Sequence, residues 1–235
     1  MNKGIAVIII FVSVFSTGYT QREVLRSWGF GVHGGTNFST VTFDPSVKEK
    51  SIQGLNGGVF VNYKSLEHVG IQLEFNYSQK GWTEKPENAE PYTRKMEYYE
   101  IAALSHIVPG FGNFKAIINL GPFYGKHLGS ESEGKVYNTQ TDSAFIQYFH
   151  RGEEIDNKHD FGIILGLGFG YETPIGRFQV QGRLVQSLNR IYEKKPVGRF
   201  DGSVSSVLQV NAGYVFIIRA KRPVVYKKKL SEEDL

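Results

Sequence analysis

The chain has 235 residues, 40% apolar and 21% charged. Its mean hydropathy of −0.27 is too low for a bundle of transmembrane helices, each of which needs about 20 consecutive apolar residues. It has no cysteine, which excludes a disulfide framework, a thiolate metal site and a cysteine nucleophile. The formal net charge of +4 belongs to the two ends: without Lys3 and the residues from Arg219 onward, acids and bases balance, so no nucleic-acid groove and no nucleic-acid partner are expected.

Residues 1–20 read as a secretory signal peptide. Lys3 precedes an apolar run, Ile5 to Phe15, that is broken only by Ser13 and too short to span a bilayer as a helix. Small residues at Ser16, Gly18 and Thr20 suit cleavage. Residues 21–218 form the predicted folded body. Residues 219–235 form a basic tail, expected in the periplasm as a solvated end.

In the body the dominant period is two. From Val69 to Tyr77 every odd residue is apolar and every even one is Gly or polar, the pattern of a strand with one greasy and one wet or small face. Seven further segments alternate similarly. In chain order they centre on Trp28–Val32, Leu55–Tyr63 (with Phe60 out of phase), Tyr99–Ala103, Phe114–Leu120, Phe161–Tyr171, Phe178–Leu184 and Leu208–Phe216. Short connections are predicted at Lys64–His68, Val108–Asn113 and Thr173–Gly176, and long ones at Val41–Ile52, Trp82–Thr93, Lys126–Lys158 and Asn189–Gly202. In an up-and-down meander this alternation puts the short turns and both termini at one end and the long loops at the other. That asymmetry is the mark of an outer-membrane barrel. The fold expected is therefore all-β, an eight-stranded antiparallel up-and-down transmembrane barrel bathed in outer-membrane lipid.

Aromatics are expected to form a girdle at each interface. Phe30, Tyr63, Phe114, Tyr171, Phe178 and Phe216 fall near the short turns, and Tyr77, Trp82, Tyr124 and Phe161 near the long loops. The other face is mostly Gly, Asn, Gln and Ser, as the crowded interior of a small barrel requires. Its few charges, Glu74, Glu100, Lys115 and Arg183, are expected to form an interior network, with Arg183 pairing Glu74 or Glu100. The alternative is an inside-out soluble periplasmic barrel with a greasy ligand cavity.

The run Trp28-Gly29-Phe30-Gly31-Val32-His33-Gly34-Gly35-Thr36-Asn37-Phe38-Ser39 resembles the first strand of PorT-like outer-membrane barrels, with His33 in place of their usual Lys. Gln72 to Gly81 resembles their third strand, with Leu73 where Pro is usual. Tyr99-Glu100-Ile101 resembles another strand, although Ala102 replaces the following Pro. Leu120 to Gly125, and Phe161-Gly162 with Gly166-Leu167-Gly168, resemble two later segments. The matches run in order from Trp28 to Phe216. The resemblance implies an eight-stranded outer-membrane barrel and a link to type IX protein secretion, a role most relatives have not been assigned.

Eight strands leave no room for a conducting pore. A rim hydrolase would draw on His127, Ser130, His150, Asp156, His159 and Asp160 of the longest loop, but a polar solvated loop explains the same residues. The acidic stretch Glu153–Asp160 matches no metal-loop spacing. No catalytic residue, metal or cofactor is therefore expected. An envelope protein partner is expected to meet the long loops, where Phe145, Ile146, Tyr148 and Phe149 form the candidate apolar patch.

Overall fold

Each long strand pairs antiparallel with the next, and the first also pairs with the last. The computed structural model describes residues 26–44, 48–85, 90–136, 150–193 and 202–219. The leader, the patch at Phe145, Ile146, Tyr148 and Phe149, and the tail beyond Arg219 lie outside the described residues. The strands are β1 (Ser27–Asp44), β2 (Glu49–Lys64), β3 (Val69–Glu84), β4 (Tyr92–Ile107), the two-residue β5 (Gly110–Phe111), β6 (Phe114–Gly134), β7 (His159–Thr173), β8 (Gly176–Ser187) and β9 (Gly202–Arg219). β4 pairs with β6, and β1 pairs with both β2 and β9. The eight long strands thus close into a ring, while β5 decorates the β4–β6 turn.

Closure divides the side chains by parity. Along β3, Ile71, Leu73 and Phe75 are exposed, whereas Gln72, Glu74 and Asn76 are buried. Along β7, Ile163, Leu165, Leu167 and Phe169 face out. A greasy outer surface around a polar interior is stable only where lipid replaces water outside. This arrangement rules out the inside-out soluble barrel. The interior is crowded enough to demand glycine. A Cβ on Gly31 would lie 2.3 Å from Phe60 Cζ, and one on Gly58 would lie 2.1 Å from Asn76 Oδ1. Phe60, out of phase in the sequence, points inward over this space and packs its ring on His33.

At the short-turn end, Trp28 packs on Tyr63, Phe114 on Tyr171, and Phe178 on Tyr214, with ring centroids 4.8, 5.1 and 5.0 Å apart. Phe30 and Phe216 sit outward beside them. At the loop end, Tyr77, Tyr99, Tyr124 and Phe161 occupy outward positions on four adjacent strands. Trp82 does not join them. It has the inward parity of Glu74 and Lys80 and is fully buried inside the barrel, its indole N–H donating to Glu84 Oε1 at 2.9 Å.

The long connections are shorter than the sequence suggested, because the strands continue beyond the lipid. β1 runs to Asp44 and β2 starts at Glu49, so most of the expected Val41–Ile52 loop is strand. β3 likewise reaches Glu84 and β6 reaches Gly134. Past the aromatic band the alternation persists with its polarity reversed. Val41, Phe43, Trp82 and Met96 turn inward, while Thr42, Asp44 and Lys95 turn outward. Polar outward residues suit water, so this part is a collar standing above the membrane.

Candidate functional site

The lumen is filled in three tiers. In the lowest, Arg183 on β8 makes a bidentate pair with Glu74 on β3, at 2.8 and 2.9 Å. These strands are diametrically opposite in the ring, so the pair spans the barrel. The fork of two parallel bonds is a strong form of ion pair. Gln72 and Asn76 donate to the same carboxylate, at 2.6 and 2.9 Å, and His33 Nε2 lies 2.9 Å from Asn76 Oδ1. From Arg183 the network continues through Gln181 and Asn119 to His106 and Arg177. All of these side chains are buried.

The second tier centres on Lys80, 1% exposed. Its ammonium bridges Glu100 and Asp160, the latter at 2.9 Å, and lies over the rings of Tyr98 and Phe123. Ser187 also donates to Asp160, at 3.1 Å. Of the four charges expected inside, Glu74 and Arg183 meet each other, and Glu100 meets Lys80 instead. Lys115 joins no ion pair among the described residues. It has inward parity but lies one residue from the turn at the short-turn rim, where it is half-buried. The sequence pattern does not mark Lys80, Arg177 or His106 as members of this network, and it assigns Asp160 to the long loop. Parity carried past Tyr77 would have marked Lys80 as inward.

The third tier is a cap. Residues 150–158 and 188–193, from two loops, descend onto the collar, and Ile155, Ile191 and Tyr192 join Val41, Phe43, Trp82, Met96 and Tyr98 in one apolar cluster. Glu84 anchors it. Its carboxylate meets His150 Nε2 at 2.5 Å and accepts from Arg151 Nε at 2.8 Å and from Trp82. Glu84 lies above the bilayer. Burial alone would raise its pKa, but the hydrogen bond and charge of His150, with Trp82 and Arg151, outweigh that and hold the carboxyl below its usual range.

The candidate rim-hydrolase residues point in different directions. His150 is buried against Glu84 and stacks on Phe43. His159 faces outward and meets the Tyr124 hydroxyl, and Asp160 faces inward to Lys80. His127 lines a separate cleft with Ser130, and Asp156 accepts from the backbone of Glu193. Among the described residues, no three His, Asp or Glu side chains gather in a way that would hold a metal ion. A cavity of about 610 Å³ is a groove on the lipid-facing wall between residues such as Phe30, Val59 and Phe75.

A closed antiparallel ring, apolar outside and polar within, with short turns at one end and a capped collar at the other, is a transmembrane barrel of the outer-membrane class. The chain belongs to the outer membrane protein beta-barrel domain family, whose model matches residues 16–193. Its place is therefore the outer membrane, with that membrane's lipids around it. Solved structures with a similar trace include Ail, the attachment invasion locus protein of Yersinia pestis. It is 15% identical, with 83% of this chain and all (100%) of that chain covered and a TM-score of 0.41. OprG from Pseudomonas aeruginosa is 13% identical over 80% of this chain and 95% of that one, with a TM-score of 0.45. The outer membrane protease OmpT from Escherichia coli is 8% identical over 86% and 99%, with a TM-score of 0.39. An attachment protein and a protease thus stand side by side, and neither role passes to this chain. No curated protein matches it by sequence.

Proposed function

We propose that the protein is a non-enzymatic, PorT-like outer-membrane barrel that supports protein secretion, surface binding or envelope integrity through its capped outer end. The observation behind this reading is the ion pair between Arg183 and Glu74. It crosses the full diameter of the lumen, and above it stand the Lys80 tier and the cap. A barrel filled in this way has no solute path, so its working surface is the one it presents to the outside. The divergence of His150, His159 and Asp160 weighs against a hydrolase, because a nucleophile, its base and the orienting acid must lie within hydrogen-bond reach of one another.

The apolar patch of Phe145, Ile146, Tyr148 and Phe149 is the proposed contact for an envelope partner. The test is complementation of cells lacking the protein, scored by delivery of secreted proteins to the cell surface and by envelope integrity. A variant with Phe145→Ser and Tyr148→Ser is expected to fail while still migrating as a heat-modifiable barrel. Full complementation by that variant, together with an envelope hydrolase activity abolished by His150→Ala or His159→Ala, would overturn the proposal in favour of a rim enzyme.

A further inference from the structure

The buried arginines of the barrel and its cap are not alike. Arg183 and Arg151 each meet a carboxylate. Arg94, 5% exposed, meets only neutral oxygens. Its guanidinium donates to the Glu153 carbonyl at 2.6 Å, the Tyr192 hydroxyl at 2.5 Å and the Ser130 hydroxyl at 3.1 Å. Its Nε is buried without a partner, and it has no ion pair among the described residues. A buried cation that lacks a counter-charge is costly to keep and asks for an explanation.

Arg94 lines a cavity of about 330 Å³ that opens in the collar between β6 and the returning segment at Glu154–Lys158. His127, Ser130 and Lys158 line it too, and Glu154 is the one acid on its wall. His127 Nε2 is also buried and unpartnered, while the other ring nitrogen is engaged by the Gly129 backbone. Burial, with the charges of Arg94 and Lys158, holds the His127 ring below its usual pKa. Simple alternation would put residues 127 and 130 on opposite faces. A bulge prevents this: Tyr98 pairs with His127 but Glu97 pairs with Gly129, leaving Leu128 as the extra residue. Bulges re-aim side chains in this way beside functional sites.

We propose that this cavity is an anion site on the outer face of the barrel that takes a phosphate group, with Arg94 donating to its oxygens, His127 facing it through Nε2, Ser130 adding a hydroxyl and Lys158 closing from the rim. The phosphate is either free or carried on a lipid, since the cavity lies just above the band of Tyr77, Tyr99 and Tyr124.

The experiment follows the His127 ring resonances of the full chain, refolded in zwitterionic micelles, during titration with inorganic phosphate, with chloride at matched ionic strength as the control. A saturable shift with phosphate alone is expected. Arg94→Gln should weaken it about tenfold or more and Lys158→Gln about threefold, as loss of charge-assisted bonds predicts. Lys126→Gln, on the outer wall, should leave it unchanged. Heat-modifiable migration reports whether Arg94→Gln folds; where it does not, Lys158→Gln and Ser130→Ala decide. Repeating the measurement in phosphatidic acid and phosphatidylcholine vesicles separates the two sources. A shift with free phosphate assigns a soluble ligand, and a shift only with phosphatidic acid assigns a lipid phosphate. No saturable shift in either, an equal response to chloride, or undiminished affinity in all folded variants would overturn the site.

Discussion

The membrane-embedded half of the barrel and the collar above it use the same strands and the same period of two, with opposite meaning. Within the bilayer, Leu73 and Phe75 face out and Glu74 and Asn76 face in; above it, Thr42 and Asp44 face out and Val41 and Phe43 face in. The backbone is continuous, so the change is wholly one of surrounding solvent. Lipid rewards apolar side chains outside and leaves the polar ones to satisfy one another across the lumen, whereas water permits an ordinary apolar core inside. The boundary is marked by tyrosines. Tyr77 and Tyr99 pair across β3 and β4, and the Tyr77 hydroxyl donates to Glu97 at 2.6 Å, on the water side.

The largest effect should come from breaking the lumen. Arg183→Ala leaves the Glu74 carboxylate buried and unpaired, and the expected loss is about 3–5 kcal/mol, read as lower thermal stability of the heat-modifiable form. Replacing both partners with apolar residues of similar size should recover much of that loss. Next comes a charge placed on lipid: Leu73→Arg should cost about 2–4 kcal/mol in a reconstituted bilayer, the depth-dependent penalty for a barrel wall. Glu84→Gln should leave the barrel standing and loosen only the cap. Its expected cost of about 1–3 kcal/mol is local, seen as faster proteolysis at residues 150–158 with unchanged gel migration.

Acid should act on the cap in the same way. Because the folded Glu84 carboxyl is held below its usual value of 4.5, its stabilising contribution is present above that value and fades as pH falls through the lowered one. Cleavage at the cap should therefore accelerate as the pH falls below 4.5. Thr42→Arg, the collar counterpart of the Leu73 variant, should stay within about 0.5 kcal/mol of the parent. Equal penalties for Leu73→Arg and Thr42→Arg would erase the distinction between the two regions.

The embedded half was largely legible in the sequence, because alternation from Val69 to Tyr77 and from Phe161 to Tyr171 states both the strand and its faces. It also marked Glu74, Glu100 and Arg183 as inward-facing. Their partners were not legible. Lys80 and Asp160 are 80 residues apart, and which inward charges meet depends on the stagger of strands around the ring, which no local pattern records. Trp82 was misplaced because its residue type suggested an interface, while its parity, shared with Glu74 and Lys80, put it inside. The cap was invisible for a different reason. Ile155, Ile191 and Tyr192 lie in segments with no period, and only the reversal of polarity at Val41 and Phe43 hinted that an apolar core needed a cover from above.

A lumen closed from the Arg183–Glu74 pair to the cap passes no ions, and bilayer conductance tests this most directly. Purified barrel inserted into planar bilayers should give no discrete current steps, with insertion verified by protease access to the loop end. Stable, ohmic steps from the unmodified protein would contradict the account, because ions would then be crossing a path that these side chains fill.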